Sequence, residues 1–402
     1  MVLFAASGVA FAGPGEGIRV GNMVISPFFS GSLTYDSNVF LDKAQQKEDF
    51  FTDLVPGVSF LNRTEQLTVR GRGWLQFRDY FKYTEKNSQG VGERVGLIYG
   101  TQDDPFITVD ERYVRLEDYE ISPRSVDTLN TESQQLLLTE DRTERVKRDL
   151  FDIGAVVGRW LVDEKLRLDV GYAFGMVNYD TDLLFDWQEH IAQAEAQLKC
   201  TEKTSALLTG QYGVQDSKGF PKNPDDYIIR LGLLTRATGK TTLKGGVGYE
   251  SYRAGFTSLA GESLDENIVN FDVAAVWDAT PKLSFQASAR NGIQPATQYE
   301  RNTKKVLLLE VGSSYYATDT LLASLAGSYR NDDYLGSVKV GNDFRSKERE
   351  LYGVRARLDY RPHARFYELY LEGSYENVTD NLEDDYPNYD QLRLTAGIFV
   401  RY

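Results

Sequence analysis

The last eleven residues of the chain, 392–402, alternate between apolar and polar side chains. Successive side chains of an extended strand point to opposite faces, so this segment has one apolar face and one polar face. The apolar face carries Leu392, Leu394, Ala396, Ile398, Val400 and Tyr402. The other face carries Arg393, Thr395, Gly397 and Arg401, continuing the alternation from Gln391. A strand of this kind suits a sheet with lipid on one side and water on the other.

Alternating segments recur from Met23 onward, separated in turn by a short polar turn and a longer polar loop, so the repeating unit is a hairpin. The predicted short turns are 62–65, 102–104, 162–164, 201–203, 237–240, 278–280, 317–319 and 361–363. The predicted longer loops are 36–48, 84–89, 117–147, 180–186, 215–225, 254–265, 291–304, 331–346 and 377–388. These connections predict eighteen strands, with both termini on the short-turn side, which is periplasmic in outer-membrane barrels.

Composition agrees with a barrel that shows only every second residue to lipid. The chain has no apolar run of 18 residues, which argues against transmembrane helices, yet 12% of it is aromatic. Outward aromatic residues fall at two levels, one toward each end of the strands, as interfacial girdles do. We therefore predict an all-β fold: a transmembrane, antiparallel, up-and-down β-barrel over residues 23–402. A water-soluble β-sandwich or solenoid is the alternative, but neither explains two aromatic levels.

The two ends of the chain carry separate predictions. Residues 1–12 resemble the apolar part of a signal peptide, with small residues before Gly13, although a buried first strand is the alternative. Residues 13–22 would then be a short periplasmic segment. At the other end, Tyr402 closes the last strand in a way that resembles the assembly signal of outer-membrane barrels. Outer-membrane lipid and the barrel-assembly machinery are thus the expected partners.

A barrel of sixteen to eighteen strands is normally too wide for side chains to fill and leaves an aqueous channel. We predict passage of a hydrophilic solute along a wall of mixed charge. The predicted channel-lining residues are Arg70, Arg72, Arg78, Arg94, Arg112, Asp110, Arg167, Asp169, Glu195, Arg355, Arg357, Glu372 and Arg393. The arginines concentrate on strands that become neighbours when the barrel closes, which could form a basic stripe. Alternatively, they pair with carboxylates on adjacent strands.

The longest loop, 117–147, is predicted to fold into the channel as a constriction. Its apolar stretch 136–138 could pack against the wall, and its charged residues at the constriction would be Glu132, Glu140, Asp141 and Arg142. A surface loop is the alternative, because long loops are either functional or mobile.

The sequence offers little for catalysis. It has two histidines, of which His190 should point at lipid and His363 should lie in a short turn, and it has a single cysteine. Nucleophilic and metal-assisted chemistry both lack the necessary groups, so we expect no enzyme and no cofactor. A net charge of −14 also argues against nucleic-acid binding, which needs a basic surface.

The first hairpin resembles a known family. Residues 25–29 (ISPFF), 34–40 (TYDSNVF) and 52–58 (TDLVPGV) are similar to the start of the β-barrel porins associated with bacterial exopolysaccharide biosynthesis and export. The resemblance implies an eighteen-stranded outer-membrane porin that lets a secreted polysaccharide or small solutes cross, with periplasmic export components as further partners. It carries over no catalytic residue. Two functions stay open: a channel linked to polysaccharide export, and a diffusion porin for small nutrients or ions.

Overall fold

Hydrophobic alternation shapes nearly the whole chain into antiparallel strands. The computed structural model describes residues 9–11, 16–43, 45–100, 106–116, 147–162, 164–180, 186–217, 222–258, 260–295, 303–340, 343–362, 366–382 and 388–402. The strands in these residues are β1 (Val9–Phe11), β2 (Ile18–Val20), β3 (Met23–Asp36), β4 (Asp49–Arg63), β5 (Leu67–Tyr80), β6 (Ser88–Tyr99), β7 (Phe106–Leu116), β8 (Arg148–Leu161), β9 (Leu166–Tyr179), β10 (Trp187–Lys199), β11 (Thr204–Ser217), β12 (Asp225–Thr238), β13 (Thr241–Arg253), β14 (Glu266–Thr280), β15 (Leu283–Pro295), β16 (Thr303–Tyr316), β17 (Leu321–Tyr334), β18 (Val338–Val340), β19 (Asp343–Arg345), β20 (Glu348–Tyr360), β21 (Tyr367–Asp380) and β22 (Tyr389–Arg401).

Eighteen of these strands, β3 to β17 and β20 to β22, form a closed barrel. Each strand pairs antiparallel with the next one along the chain. The last strand, β22, pairs back onto β3 from Arg393 opposite Asp36 to Arg401 opposite Phe28, which leaves the sheet without a free edge. The predicted fold and strand number are therefore confirmed. Strands β18 and β19 form a separate small hairpin within the loop between β17 and β20.

The residues before the barrel continue the sheet at its short-turn end. Strand β2 pairs with β3 from Val20 opposite Met23 to Ile18 opposite Ile25, beyond the point where β22 stops. Strand β1 pairs with β2 in turn. Val9–Phe11 thus lies in a strand here, while the signal-peptide interpretation of residues 1–12 stays a prediction.

Alternation divides every barrel strand between an inner and an outer face. The outer face carries large apolar side chains that are open to the surroundings, with Leu231 70% and Val269 66% exposed. Backbone groups of a closed barrel are all paired between strands, which is what a lipid environment requires. No helix in the described residues is long and apolar enough to cross a membrane.

Outer aromatic residues near the long-loop ends contact one another across neighbouring strands, while their role as an interfacial girdle stays a prediction. Tyr212 packs on Tyr227 and Tyr329 on Tyr352, with ring centroids 4.7 and 5.0 Å apart. Near the same end of the barrel, the Tyr35 hydroxyl donates a hydrogen bond to Glu48 at 2.6 Å. An apolar ring with a hydrogen-bonding hydroxyl is suited to a membrane–water interface.

Several predicted loops begin too early in the sequence. Strand β17 runs to Tyr334 and β21 to Asp380, three residues beyond the predicted starts of the loops at 331 and 377. The polar residues at these strand ends predict loops, but Asp332 and Asp380 are buried and paired with lysines. The turn predicted at 278–280 also belongs to β14, because a register shift lets Thr280 pair with Leu283.

Candidate functional site

The strand register places all thirteen predicted channel-lining residues on the inner face of the barrel. Arg72, Arg94 and Arg112 stand opposite one another on three adjacent strands. Further around the wall, Asp169 faces Glu195, Arg357 faces Glu372, and Arg393 faces Asp36. Inward position follows from the period of two along each strand. The four residues predicted for a constriction, Glu132, Glu140, Asp141 and Arg142, lie outside the described residues.

The predicted channel-lining arginines on β20 to β22 are paired with carboxylates. Arg357 contacts Asp359 at 2.8 Å and Glu372 at 3.3 Å. Arg355 lies 3.5 Å from the same Glu372, and Arg393 lies 3.1 Å from Asp36. On this part of the wall the pairing alternative holds, and no basic stripe forms.

Two further arginines also follow the pairing alternative. Arg78 makes two hydrogen bonds to Asp53, at 2.8 and 2.7 Å, and its guanidinium lies over the Phe51 ring. Arg167 contacts Asp169 at 2.9 Å. Bidentate and stacked arginines of this kind fix the wall rather than offer charge to a solute.

The arginines on β5 to β7 keep a positive excess. We call Arg70, Arg72, Arg94 and Arg112 the arginine patch. Asp110 forms ion pairs with both Arg70 and Arg94, at 3.6 and 3.5 Å, and Asp152 forms one with Arg112 at 2.8 Å. In the part of the chain that the structure describes, Arg72 forms no ion pair. The patch thus sets four cations against two carboxylates.

Arg72 is held by aromatic rings instead of by a carboxylate. Its guanidinium carbon lies 4.1 Å from the centroid of the Phe28 ring and 5.7 Å from that of Trp74. The Phe28 ring lies over Gly57, and the Trp74 ring lies over Gly92, where a Cβ atom would overlap each ring. Cation–π contact attracts the guanidinium to the ring while leaving its charge uncompensated.

The inner wall on β10 to β13 carries charges of both signs. Glu189, Asp226 and Glu250 point inward near the long-loop ends, and Glu195 does so farther along β10. The inward cations include Arg230 and, nearer the short turns, Lys199 and Lys244. The Glu250 carboxylate accepts hydrogen bonds from the Asn270 side chain at 2.7 Å and from the backbone N–H of Ile293 at 2.9 Å. Carboxylates therefore predominate only near the long-loop ends of these strands, in a different sector of the barrel from the arginine patch.

The first long loop lies against the inner face of the barrel mouth. Val39 packs on the inward Phe51 and Tyr80, and Leu41 packs on Val378 and Tyr389. Because these partners belong to strands on both sides of the closing seam, the loop covers the inner wall from β21 to β5. The sequence signal for this contact is the apolar run of residues 39–41 inside an otherwise polar loop.

Strands β15 and β16 bend inward at the long-loop end. Pairing of β15 with β14 ends at Arg290 opposite Asp272. Beyond it, the backbone N–H of Ile293 bonds to Glu250 on β13, and the Thr303 hydroxyl donates to the Tyr252 hydroxyl at 3.1 Å. These contacts skip β14, so the hairpin end leans into the mouth. The alternation along β15 and β16 does not predict this bend.

Two loops meet beside the bent hairpin. The Glu262 carboxylate accepts a hydrogen bond from the backbone N–H of Ser337 at 2.7 Å and one from its hydroxyl at 3.1 Å. Leu264 and Ala254 pack beneath this contact against Tyr252. We call the Glu262–Ser337 contact the loop clasp. It joins the β13–β14 loop to the β17–β20 loop across the intervening strands.

The loop clasp should weaken in acid. Hydrogen bonds from the Ser337 backbone and hydroxyl hold the pKa of Glu262 below its usual 4.5. A depressed pKa in the folded state means that the contact is fully present above pH 4.5 and is lost as pH falls through the lowered value. Hydrogen exchange at the Ser337 amide should therefore accelerate below pH 4.5, beyond its intrinsic pH dependence.

Two glutamine variants distinguish loss of the loop clasp from a general effect of acid on the protein. Glu262→Gln should lose the extra acid dependence, whereas Glu65→Gln, in a short turn, should retain it. Unchanged Ser337 exchange in Glu262→Gln would show that the clasp does not protect this amide.

The residues usually required for catalysis are dispersed. His190 lies on the outer face, with its Nδ1 atom 2.6 Å from the Tyr172 hydroxyl, and His363 lies outside the described residues. Cys200 is exposed. Among the described residues, no group of three His, Cys, Asp or Glu side chains is arranged to hold a metal ion.

Comparison with known proteins supports the fold. No protein-family model matches the sequence, and no curated protein matches it. The solved structure of OccK1 (OpdK) from Pseudomonas aeruginosa is similar with a TM-score of 0.50 at 14% identity, covering 94% of this chain and 99% of that chain. The siderophore receptor PirA from the same organism gives a TM-score of 0.48 at 8% identity, covering 94% of this chain and 80% of that one. Another structure of OpdK, described as an outer membrane protein, gives 0.46 at 12% identity, covering 94% and 99%.

This chain has the fold of an outer-membrane β-barrel. Its closed sheet and apolar outer face meet the physical requirements for spanning a bilayer, and the OccK1 (OpdK) structure shares this fold. At these identities the likeness concerns the fold.

Proposed function

We propose that this barrel is a channel for hydrophilic solutes that carry negative charge. The observation that carries the proposal is the arginine patch, where Arg72 has a charge that no described carboxylate balances. An uncompensated cation on a hydrated wall lowers the barrier for an anion and raises it for a cation. The inward carboxylates of Glu189, Asp226 and Glu250, near the long-loop ends of β10, β12 and β13, would repel the same solute toward the patch.

Within this function, we propose a role in the export of an acidic extracellular polysaccharide. The support is the resemblance of the first hairpin to export-associated porins, together with a wall that offers both arginines and flat aromatic rings. Periplasmic export components would then deliver the polymer to the short-turn end, and the long loops would face the exterior. The protein would act without a cofactor and without catalysis.

Diffusion of small anionic nutrients is the second candidate. It is favoured by the first loop and the bent β15–β16 hairpin, which both lie against the inner side of the mouth and reduce its width. A narrowed mouth suits small solutes, whereas an extended polymer chain must thread it.

Assembly would depend on the final strand. The backbone N–H of Tyr402 donates to the carbonyl oxygen of Pro27 at 3.0 Å, at the end of the β22–β3 seam. We propose that the barrel-assembly machinery recognises this strand before the seam closes.

Polymer analysis of a deletion strain tests the export role. An in-frame deletion should lower the extracellular uronic-acid polymer, and complementation with the wild-type gene should restore it. Complementation with an Arg72→Gln/Arg94→Gln/Arg112→Gln triple variant should restore less, because the patch would no longer guide an anionic chain.

Unchanged polymer with slower uptake of small anions would overturn the export role in favour of the diffusion porin. Membrane levels of the triple variant must match those of the wild-type protein, so that a failure of assembly is recognised.

A further inference from the structure

The inner wall beside the arginine patch contains an aromatic surface that the channel function does not require. The Trp74 indole lies flat over Gly92 on the neighbouring strand, and a Cβ atom at that position would overlap the ring. Its position is inward by register, so one ring face rests on the wall and the other is turned to the lumen. The indole is half-buried, as expected for a ring supported on one side.

Arginines border this ring. Arg72 precedes Trp74 by two residues on the same strand and the same face, and Arg94 stands opposite Arg72 on β6. Diagonal neighbours across a strand pair are about 7–8 Å apart, within reach of a long side chain. Trp74, Arg72 and Arg94 thus present one flat apolar face and two guanidinium groups at a single place.

The arginine nearer to the ring is already oriented. Stacking on Phe28 at 4.1 Å holds the Arg72 guanidinium in place, and Gly57 provides the space for the Phe28 ring. A guanidinium stacked on one face still has its N–H groups directed outward in its own plane, where they can form paired hydrogen bonds with a carboxylate. Pre-orientation reduces the entropy that binding would otherwise cost.

The adjoining strands add hydroxyl groups. Ser30 and Ser32 on β3 and Ser59 on β4 point inward, and Ser59 stands opposite Arg72. Hydroxyls can both donate and accept hydrogen bonds, which suits a ligand that carries many hydroxyls of its own.

We propose that Trp74, Arg72 and Arg94 form a subsite for single uronic acid units of an anionic polysaccharide. The C–H face of the pyranose ring packs on the indole, whose π face is negative. The carboxylate is bound by Arg72 and Arg94. This inference deepens the proposed channel function and rests on it. A neutral sugar would contact only the indole favourably, and a simple inorganic anion would be bound only by the arginines.

Current block in planar lipid bilayers tests the subsite, with tetragalacturonate as the probe and maltotetraose as the neutral control of equal length. Tetragalacturonate should produce brief closures, whereas maltotetraose should produce few. Arg72→Gln and Trp74→Leu should each raise the dissociation constant for tetragalacturonate by about tenfold, as expected for loss of one charge-assisted or stacking contact. Trp160→Leu, at an inward tryptophan on β8, should leave it unchanged.

Calorimetric titration of the detergent-solubilised barrel with tetragalacturonate provides a readout that does not need conduction. Suppose that the barrel conducts and that its ion selectivity changes in the Arg72→Gln/Arg94→Gln/Arg112→Gln variant, but that tetragalacturonate and maltotetraose block the current equally. The proposed subsite is then wrong, while the channel function stands. If no current flows but calorimetry shows binding that depends on Trp74, the channel function is wrong while the subsite stands. Equal affinity of Trp74→Leu and the wild-type protein in both assays would overturn the subsite.

Discussion

Replacement of Asp332 by alanine should lower the free energy of unfolding by about 3–5 kcal/mol, the usual cost of breaking a buried ion pair from one side. The Asp332 side chain is 1% exposed and accepts hydrogen bonds from Lys304 at 2.9 Å and from Arg330 at 2.6 and 2.7 Å. The Lys304 side chain is fully buried, so Asp332→Ala would leave its charge without the carboxylate that compensates it. Guanidinium unfolding in lipid vesicles, followed by circular dichroism, measures the loss.

The matched control is Arg361→Ala. Arg361 contacts Glu368 at a similar distance of 2.9 Å, but its side chain is 52% exposed. Exposed pairs contribute about 0–1 kcal/mol because water already solvates both charges. If Asp332→Ala and Arg361→Ala destabilised the barrel equally, burial would not be what makes the Asp332 ion pair important for stability.

Replacement of Leu264 by alanine should release the loop between β13 and β14. Leu264 is fully buried between the loop and Tyr252, and removal of such a side chain costs about 2–5 kcal/mol. Since the lost packing lies between a loop and the wall, we expect local opening rather than unfolding of the barrel. Hydrogen exchange at Ser258 and Gly261, whose N–H groups bond within the loop, should accelerate.

A surface apolar residue provides the comparison for Leu264. Phe81→Ala, at an exposed ring beyond the end of β5, should leave exchange at Ser258 and Gly261 unchanged. Unaltered exchange in Leu264→Ala would show that the loop is held by its hydrogen bonds alone.

The sequence was sufficient to predict the barrel because the relevant signal is local. A period of two places Arg72 and Trp74 on the same face without knowledge of any other strand. The net charge of the inner wall was harder to predict, because ion pairing depends on the register between strands that are distant in sequence. Arg393 and Asp36 meet only when β22 closes onto β3, and nothing local to either residue shows that they pair.

The mouth of the barrel depends on contacts that alternation does not encode. Ile293 reaches Glu250 because β15 leaves β14 after Arg290, where the Asn291 side chain bonds to the backbone of β14 in place of a regular pair. The sequence around Asp332 predicts a loop, because burial of its charge requires Lys304, which comes from another strand. Polar residues at the ends of strands therefore make an inward-facing strand end look like a loop in the sequence.

The reversal potential under a salt gradient, measured on the purified barrel in a planar bilayer, tests the central claim most directly. The wild-type protein should conduct. In the Arg72→Gln/Arg94→Gln/Arg112→Gln variant, the reversal potential should move toward the equilibrium potential of the cation by tens of millivolts. Arg357→Gln, in the neutralised part of the wall, should shift it much less. Absence of current, or equal reversal potentials for the wild-type protein and the triple variant, would contradict a channel in which the arginine patch guides anions.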